Sequence, residues 1–253
     1  MSIWSKIFPK KKRSRSRLPD GWLVYAIGDI HGRFDLLTLL LEMIEVDRAA
    51  HEGIEKAYIV FLGDYVDRGR QSAEIIDFLS SYNPETMQPV FLRGNHEDLM
   101  LQFLDDPFEA DLWLRVGGVA TLASYGVQID AEAASEDPFA ASNALGRALP
   151  ESHRAFLEGL TLHWQAGDYL FVHAGIRPGV PLAEQKRRDL LGIRQGFTSS
   201  SLDHGFRVVH GHTGVREPEF MPNRIAIDTG AFATGVLTAA IFFGAETDVL
   251  QTP

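Results

Sequence analysis

The chain of 253 residues is 45% hydrophobic and 23% charged, which fits an ordinary globular domain and excludes a disordered, collagenous or coiled-coil chain. It contains no cysteine, so disulfides, zinc fingers, iron–sulfur clusters and cysteine nucleophiles are excluded, and any metal must be held by His, Asp, Glu or Asn. The net charge of -10 hides an asymmetry: residues 1–20 carry seven basic residues against Asp20 alone, +6, while the remainder carries 17 basic and 33 acidic residues, -16.

The basic segment precedes the first regular pattern and reads as a disordered arm over residues 1–20. Ile3, Trp4, Ile7 and Phe8 come before the run KKKRSRSR, which has no apolar core of the kind a secretory signal needs. Three readings of the arm stand: a solvated terminus, a weak peripheral membrane contact through apolar anchors and a basic cluster, or docking on an acidic partner. The acidic body disfavours a large nucleic-acid face, because such affinity rests on neutralising phosphates. No apolar run approaches the ~20 residues needed to span a bilayer, the longest candidate being Val236 to Phe243. A cytoplasmic protein is expected.

From Gly21 onward, short apolar runs alternate with amphipathic segments. Leu23 to Ile27, Ala57 to Leu62 and Pro89 to Leu92 read as buried strands, and Phe34 to Val46 and Ser72 to Tyr82 have helical spacing, giving a βαβαβ opening. A mostly helical middle follows, roughly Asn95 to Leu162, in which the acidic, Ala-rich stretch Asp130 to Ala141 reads as a loop or the end of a surface helix. Further strands are expected at Tyr169 to Val172, Phe206 to Val209, Arg224 to Ile227 and Gly235 to Phe243. No repeat or long linker divides the chain, so residues 21–253 read as one α/β domain with a helical excursion.

The strands end in polar clusters: Gly28-Asp29-Ile30-His31-Gly32, Gly63-Asp64-Tyr65-Val66-Asp67-Arg68-Gly69, Arg93-Gly94-Asn95-His96-Glu97, His173-Ala174-Gly175 and His210-Gly211-His212-Thr213. A single Asp or His after a strand is ordinarily a cap or turn former. Five such ends in order are not explained by capping, because the carboxyl ends of neighbouring strands converge on one crevice in open α/β sheets. Asp29, His31, Asp64, Asn95, His96, His173 and His212 are thereby brought together. Carboxylate, imidazole and carboxamide suit borderline-to-hard divalent ions such as manganese, iron or zinc. With His96 reserved for proton transfer, the remaining six exceed the needs of one tetrahedral ion and fit two ions sharing a carboxylate. Two divalent ions, Asp29, Asp64 and a bridging hydroxide leave one net positive charge for attracting an anion.

At these motifs the sequence resembles the metallophosphoesterases, and among them the bacterial and phage branch of the PPP-type serine/threonine protein phosphatases. The resemblance runs from about Trp22 to Phe243 and includes Gly117-Gly118 and Ser124-Tyr125-Gly126. It implies a β-sandwich of two mixed sheets flanked by helices. It also implies that Asp29 and His31 bind one ion, that Asp64 bridges, and that Asn95, His173 and His212 complete the second, with manganese favoured and iron or zinc as alternatives. His210 is then a supporting histidine. His96 matches the family's general acid, Asp67 the carboxylate orienting it, and Arg68 and Arg93 its phosphate-binding arginines; Arg194 fits a further one, although Gly192 stands where many relatives have Trp. Glu97 reads as a helix-start or supporting residue.

The function so implied is hydrolysis of phosphate monoesters by attack of the bridging hydroxide, on a phosphorylated protein or a small phosphoester. A serine/threonine or dual-specificity protein phosphatase is the first expectation. A diadenosine tetraphosphatase is the alternative within the same family; its members usually read GDLVARG and GNHD where this chain reads GDYVDRG and GNHE, so Asp67 favours the phosphatase. A catalytically dead scaffold is the alternative from another class, disfavoured because every expected position is filled.

Overall fold

A computed structural model of the chain describes residues 16–107 and 111–253. The membrane and acidic-partner readings of the arm rest on residues before Ser16 and lie outside the described residues. The opening is β1 (Trp22–Ile27), α1 (Phe34–Ala50), β2 (Lys56–Phe61), α2 (Ser72–Ser81), β3 (Gln88–Phe91) and α3 (Asn95–Asp105). The helical middle follows with α4 (Asp111–Trp113), a widened turn over Leu114–Gly118, α5 (Val119–Ser124), α6 (Ala131–Glu136), α7 (Pro138–Ala148) and α8 (Glu151–Gly159). The chain then forms β4 (His163–Ala166), β5 (Tyr169–Val172), α9 (Arg187–Gly192), α10 (Gln195–Thr198), β6 (Arg207–His210), β7 (Glu219–Phe220), β8 (Arg224–Ala226), α11 (Ala231–Thr234), β9 (Thr238–Phe243) and β10 (Glu246–Gln251).

Among the described residues the strands form two mixed sheets, in the orders β10-β9-β1-β2-β3 and β4-β5-β6-β8-β7. β1, β2 and β3 are parallel, as are β5, β6 and β8, while β9 and β10, and β4 and β7 at the other sheet's edges, run antiparallel to their neighbours. The alternation of side chains along a strand divides the core. Val24, Ala26, Val60, Leu62, Ala240 and Phe242 pack against Tyr169, Phe171, Val209 and Ile225 of the other sheet. Leu23, Tyr25, Ile27, Ile59 and Phe61 point the opposite way, onto Leu37, Leu40, Ile44, Ile75 and Ile76 of the helices. Burial on both faces explains why these strands read as unbroken apolar runs.

Several expectations are corrected. The stretch Asp130 to Ala141, expected as a loop or the end of a surface helix, holds all of α6 and the start of α7, and Asp130 and Asp137 cap them by accepting the N–H groups of Ala133 and Ala140. The last residues of the supposed arm belong to the body. Leu18 is buried and donates its N–H to the Gly244 carbonyl at 2.8 Å, Arg17 donates its own to Asp168, and Tyr169 Oη donates to the Ser16 carbonyl at 3.0 Å. β4 and β10 were not anticipated, and β9 begins at Thr238 rather than Gly235. Leu18→Ala should therefore destabilise the protein by about 2–5 kcal/mol, the usual cost of removing a buried leucine. An unchanged melting temperature would contradict this placement.

Candidate active site

The carboxyl ends of β1, β2, β3, β5 and β6 deliver the five motifs to one end of the sandwich, as expected for this class of sheet. The turns that carry them are unusual. His31, Asp64, Asp67, Arg68 and His212 are the non-glycine residues with positive φ among those described, at 46°, 53°, 74°, 67° and 61°. That conformation costs free energy for residues with a Cβ, and it persists where surrounding structure enforces it. All five belong to the strand-end motifs.

Asp64 is the junction of the site. Its Oδ2 lies 3.4 Å from His31 Nε2 and 3.8 Å from His96 Nε2, and its Oδ1 lies 3.4 Å from His173 Nε2. Two groups able to hold a cation share it, His31 with Asp64 and His96, and Asp64 with His173 and His212. Glu97 fixes the turn: its buried carboxylate accepts the N–H groups of Asp64 (2.9 Å), Tyr65 (2.7 Å), Val66 (3.2 Å) and Gly94 (2.9 Å). Gly94 cannot carry a side chain, because a Cβ there would collide with Asp64 Oδ1 and the Asp64 N–H.

The histidines are oriented from behind. His31 Nδ1 donates to the Val66 carbonyl at 2.8 Å and His173 Nδ1 to the Leu62 carbonyl at 2.9 Å, so each Nε2 turns a lone pair inward. His173 Nε2 faces Asn95 Oδ1 at 3.0 Å as well as Asp64, which places three electron-rich atoms together. His31 Nε2 and His212 Nε2 are buried without a hydrogen-bond partner among the described residues. Burial pushes the pKa of both down to about 3, keeping them neutral as metal ligation requires. The donor set and these unpartnered nitrogens fit divalent cations.

Asp29 stands to one side of these two groups. Its carboxylate accepts the His212 N–H at 3.2 and 3.1 Å, and burial, then the neighbouring Asp228 carboxylate, raises its pKa well above the usual range. Asp228 was missed in the sequence. It is buried, accepts the Gly230 N–H at 2.9 Å, and follows β8 as Asp29 follows β1, which is the signal that could have revealed it. Its carboxylate was left out of the charge count above and works against the positive charge counted there, which gives the arginines a larger part in attracting an anion.

His96 Nδ1 and Asp67 Oδ2 are 2.6 Å apart. Burial opposes a charge on His96, but Asp64 and Asp67 outweigh it and raise its pKa. Asp67 is held by the helical middle: Trp113 Nε1 donates to both its oxygens, at 3.1 and 2.9 Å, and Thr121 Oγ1 to Oδ1 at 2.6 Å. Arg68 Nη2 lies 3.1 Å from His96 Nε2. The chain of Arg68 passes Gly117, whose φ of 131° and lack of a Cβ admit it.

The other two arginines differ. Arg93 Nη2 donates to the carbonyls of Leu157 and Glu158 at 2.9 and 2.8 Å, and its Nη1 is 3.5 Å from Asp98, so its fork is largely committed to α8 and α3. Arg194 is exposed at the start of α10 and close enough to His212 to depress its pKa. His210 is buried, with Nδ1 on the Gly211 carbonyl and its ring against Phe197. A cavity of about 940 Å³ lined by Tyr169, Arg207 and Phe243 lies at the other end of the strands, away from all of these groups.

Asp64→Asn should lower manganese affinity at both positions, read as the loss of two-site titration by calorimetry; unchanged binding would refute the shared role. Cation binding should also release protons. Burial raises the pKa of Asp29, and a cation bound at its carboxylate would favour the ionised form and so drive proton release. Titrations at several pH values in buffers of different ionisation enthalpy measure this directly, and proton uptake would contradict it.

Residues 23–228 match the family of calcineurin-like phosphoesterases. The bis(5'-nucleosyl)-tetraphosphatase PrpE [asymmetrical] of Anoxybacillus flavithermus is 28% identical over 240 residues, covering 87% of this chain and 91% of its own. A solved structure provisionally assigned as a diadenosine tetraphosphatase superposes with a TM-score of 0.60 at 20% identity, over 91% of this chain and 94% of that one. The cold-active protein-tyrosine phosphatase of a psychrophilic Shewanella superposes with a TM-score of 0.54 at 18% identity, over 96% and 87%. These structures share the two-sheet fold, and the match of the family across most of the chain makes this protein a phosphoester hydrolase by descent: it belongs to the calcineurin-like phosphoesterases.

Proposed function

We propose that the protein hydrolyses dinucleoside polyphosphates, splitting a phosphoanhydride bond of a bis(5'-nucleosyl) tetraphosphate into two unequal nucleotides. The observation that carries this substrate is the likeness, over 87% of the chain, to relatives described as asymmetrical bis(5'-nucleosyl)-tetraphosphatases. It outweighs the single residue, Asp67, on which the preference for a protein phosphatase rested.

Asp29, His31, Asp64, Asn95, His173 and His212 would hold two divalent cations, with manganese the expected metal. Bound there, the cations would supply Lewis acidity to the phosphoryl oxygens and lower the pKa of the attacking water. Arg68 and Arg194 would bind nonbridging oxygens, and Arg93, its fork already engaged, would contribute charge from behind. His96 would donate a proton from Nε2 to the leaving oxygen while Asp67 holds Nδ1. Arg68 Nη2 stands 3.1 Å from that Nε2, so a phosphate that draws the guanidinium away would leave the nitrogen facing the leaving oxygen.

The 2.6 Å contact between His96 and Asp67 favours a second reading, a phosphoprotein phosphatase, because an alkoxide leaves poorly without a proton. Initial rates of the manganese-loaded protein on diadenosine tetraphosphate and on phosphoserine, phosphothreonine and phosphotyrosine peptides separate the two. Faster cleavage of the dinucleotide into unequal products is expected; faster release of phosphate from a peptide would reverse the assignment. Failure on all of them by a metal-loaded protein would revive the inactive scaffold. His96→Asn should slow hydrolysis of a phosphoserine peptide more than that of p-nitrophenyl phosphate, and equal slowing would contradict the general-acid role.

A further inference from the structure

Phe232 is 41% exposed, a large apolar ring at the rim of a buried polar cluster. An exposed phenylalanine alone means little. The loop carrying this one, however, is fixed from several directions. α11 is a single turn closed at both ends by left-handed glycines, Gly230 (φ 68°) and Gly235 (φ 78°). Thr229 Oγ1 donates to the Val236 carbonyl at 2.8 Å, Thr234 Oγ1 donates to the Thr229 carbonyl at 2.9 Å, and Arg33 Nη1 donates to the Ala231 carbonyl at 3.0 Å. The ring is thereby presented to two groups of the site. It stands edge to face with the His31 imidazole, at 5.5 Å and 85°, and the Arg68 guanidinium carbon lies 4.7 Å from its centroid.

A phosphate-binding arginine has a flexible stem, and each rotatable bond left free is entropy lost when the anion binds. An aromatic face limits that freedom in a useful way. It attracts the guanidinium through the ring quadrupole and covers one face of its plane, while the N–H groups, which lie in the plane, stay open to an oxyanion. Arg68 is otherwise guided by its left-handed backbone, by Gly117 and by the contact with His96. The contact with His96 uses one Nη2 edge of the guanidinium, whereas the contact with Phe232 uses its face and leaves every N–H open.

We infer that Phe232 is a positioning residue for phosphate binding: its ring holds the Arg68 guanidinium at the mouth of the metal cluster with its N–H edge toward the incoming oxyanion. The inference rests on the reading of Arg68 as a phosphate ligand, and it holds whether the ester is a dinucleotide or a phosphopeptide.

The test uses the manganese-loaded full chain, p-nitrophenyl phosphate as substrate and inorganic phosphate as competitive inhibitor. Phe232→Leu should raise KM and the phosphate inhibition constant roughly two- to fivefold, the size of an exposed cation–π contact, with kcat nearly retained. Phe232→Tyr, which keeps the ring face, should behave as the parent. In an Arg68→Ala background, Phe232→Leu should add no further penalty, because the group it positions is gone. Parental constants in Phe232→Leu, or the same penalty with and without Arg68, would overturn the inference. Loss of manganese from Phe232→Leu would also overturn it, by assigning the ring to the support of His31. If Phe232→Leu is unstable, Phe232→Met enters the same cycle, since it keeps bulk and removes the π face. Should Arg68→Ala itself leave phosphate inhibition unchanged, the reading of Arg68 fails instead.

Discussion

Asp64 presents one carboxylate oxygen to His31 and His96 and the other to His173, all within 3.8 Å, where the side chains are almost wholly excluded from water. A buried charge is tolerated only when paired, which is the reason we propose that this carboxylate is shared by two cations. Much of the surrounding structure serves that placement. Gly94 leaves out its side chain so that the carboxylate can approach, and the His96 N–H and the four donors gathered by Glu97 hold the turn in its left-handed conformation. Burial and the charge of Asp64 push Glu97 up to about 7, against the pull of those donors, so that this clamp is also sensitive to the charge at its centre.

The sandwich supplies the rigidity this arrangement needs. β1, β2, β3, β5 and β6 end together, and the proposed ligands lie in their last residues or the turns just beyond, whereas Arg194 sits in the long connection between β5 and β6. The helical middle has a narrower task. Trp113 and Thr121 hold Asp67, which holds His96, so the proposed proton donor is oriented through contacts made outside its own motif. Arg68 and Asp67 are neighbours on one turn and both reach His96, so the residues proposed for phosphate binding and for proton transfer share a support.

The strand-end motifs were legible in the sequence because each couples an apolar run to a polar, glycine-flanked turn, and the non-glycine residues at positive φ among those described all fall within them. What escaped notice were contacts that span sequence distance. Trp113 is 46 positions from Asp67 and Thr121 is 54, and neither carries a local pattern that announces the pairing. Asp228 escaped because its strand, β8, has three residues and its turn lacks a histidine. β4 and β10 were invisible for another reason: they are edge strands with half-exposed, polar sequences and no apolar run to mark them. The commitment of Arg93 to the carbonyls that end α8 likewise depends on packing between distant helices rather than on its motif.

Anomalous diffraction from a crystal of the manganese-loaded protein tests most directly whether Asp64 is shared between two cations. Two peaks ~3.5–4 Å apart are expected, each within coordination distance of a different Asp64 oxygen. One peak, or a pair that leaves Asp64 unligated, would contradict it.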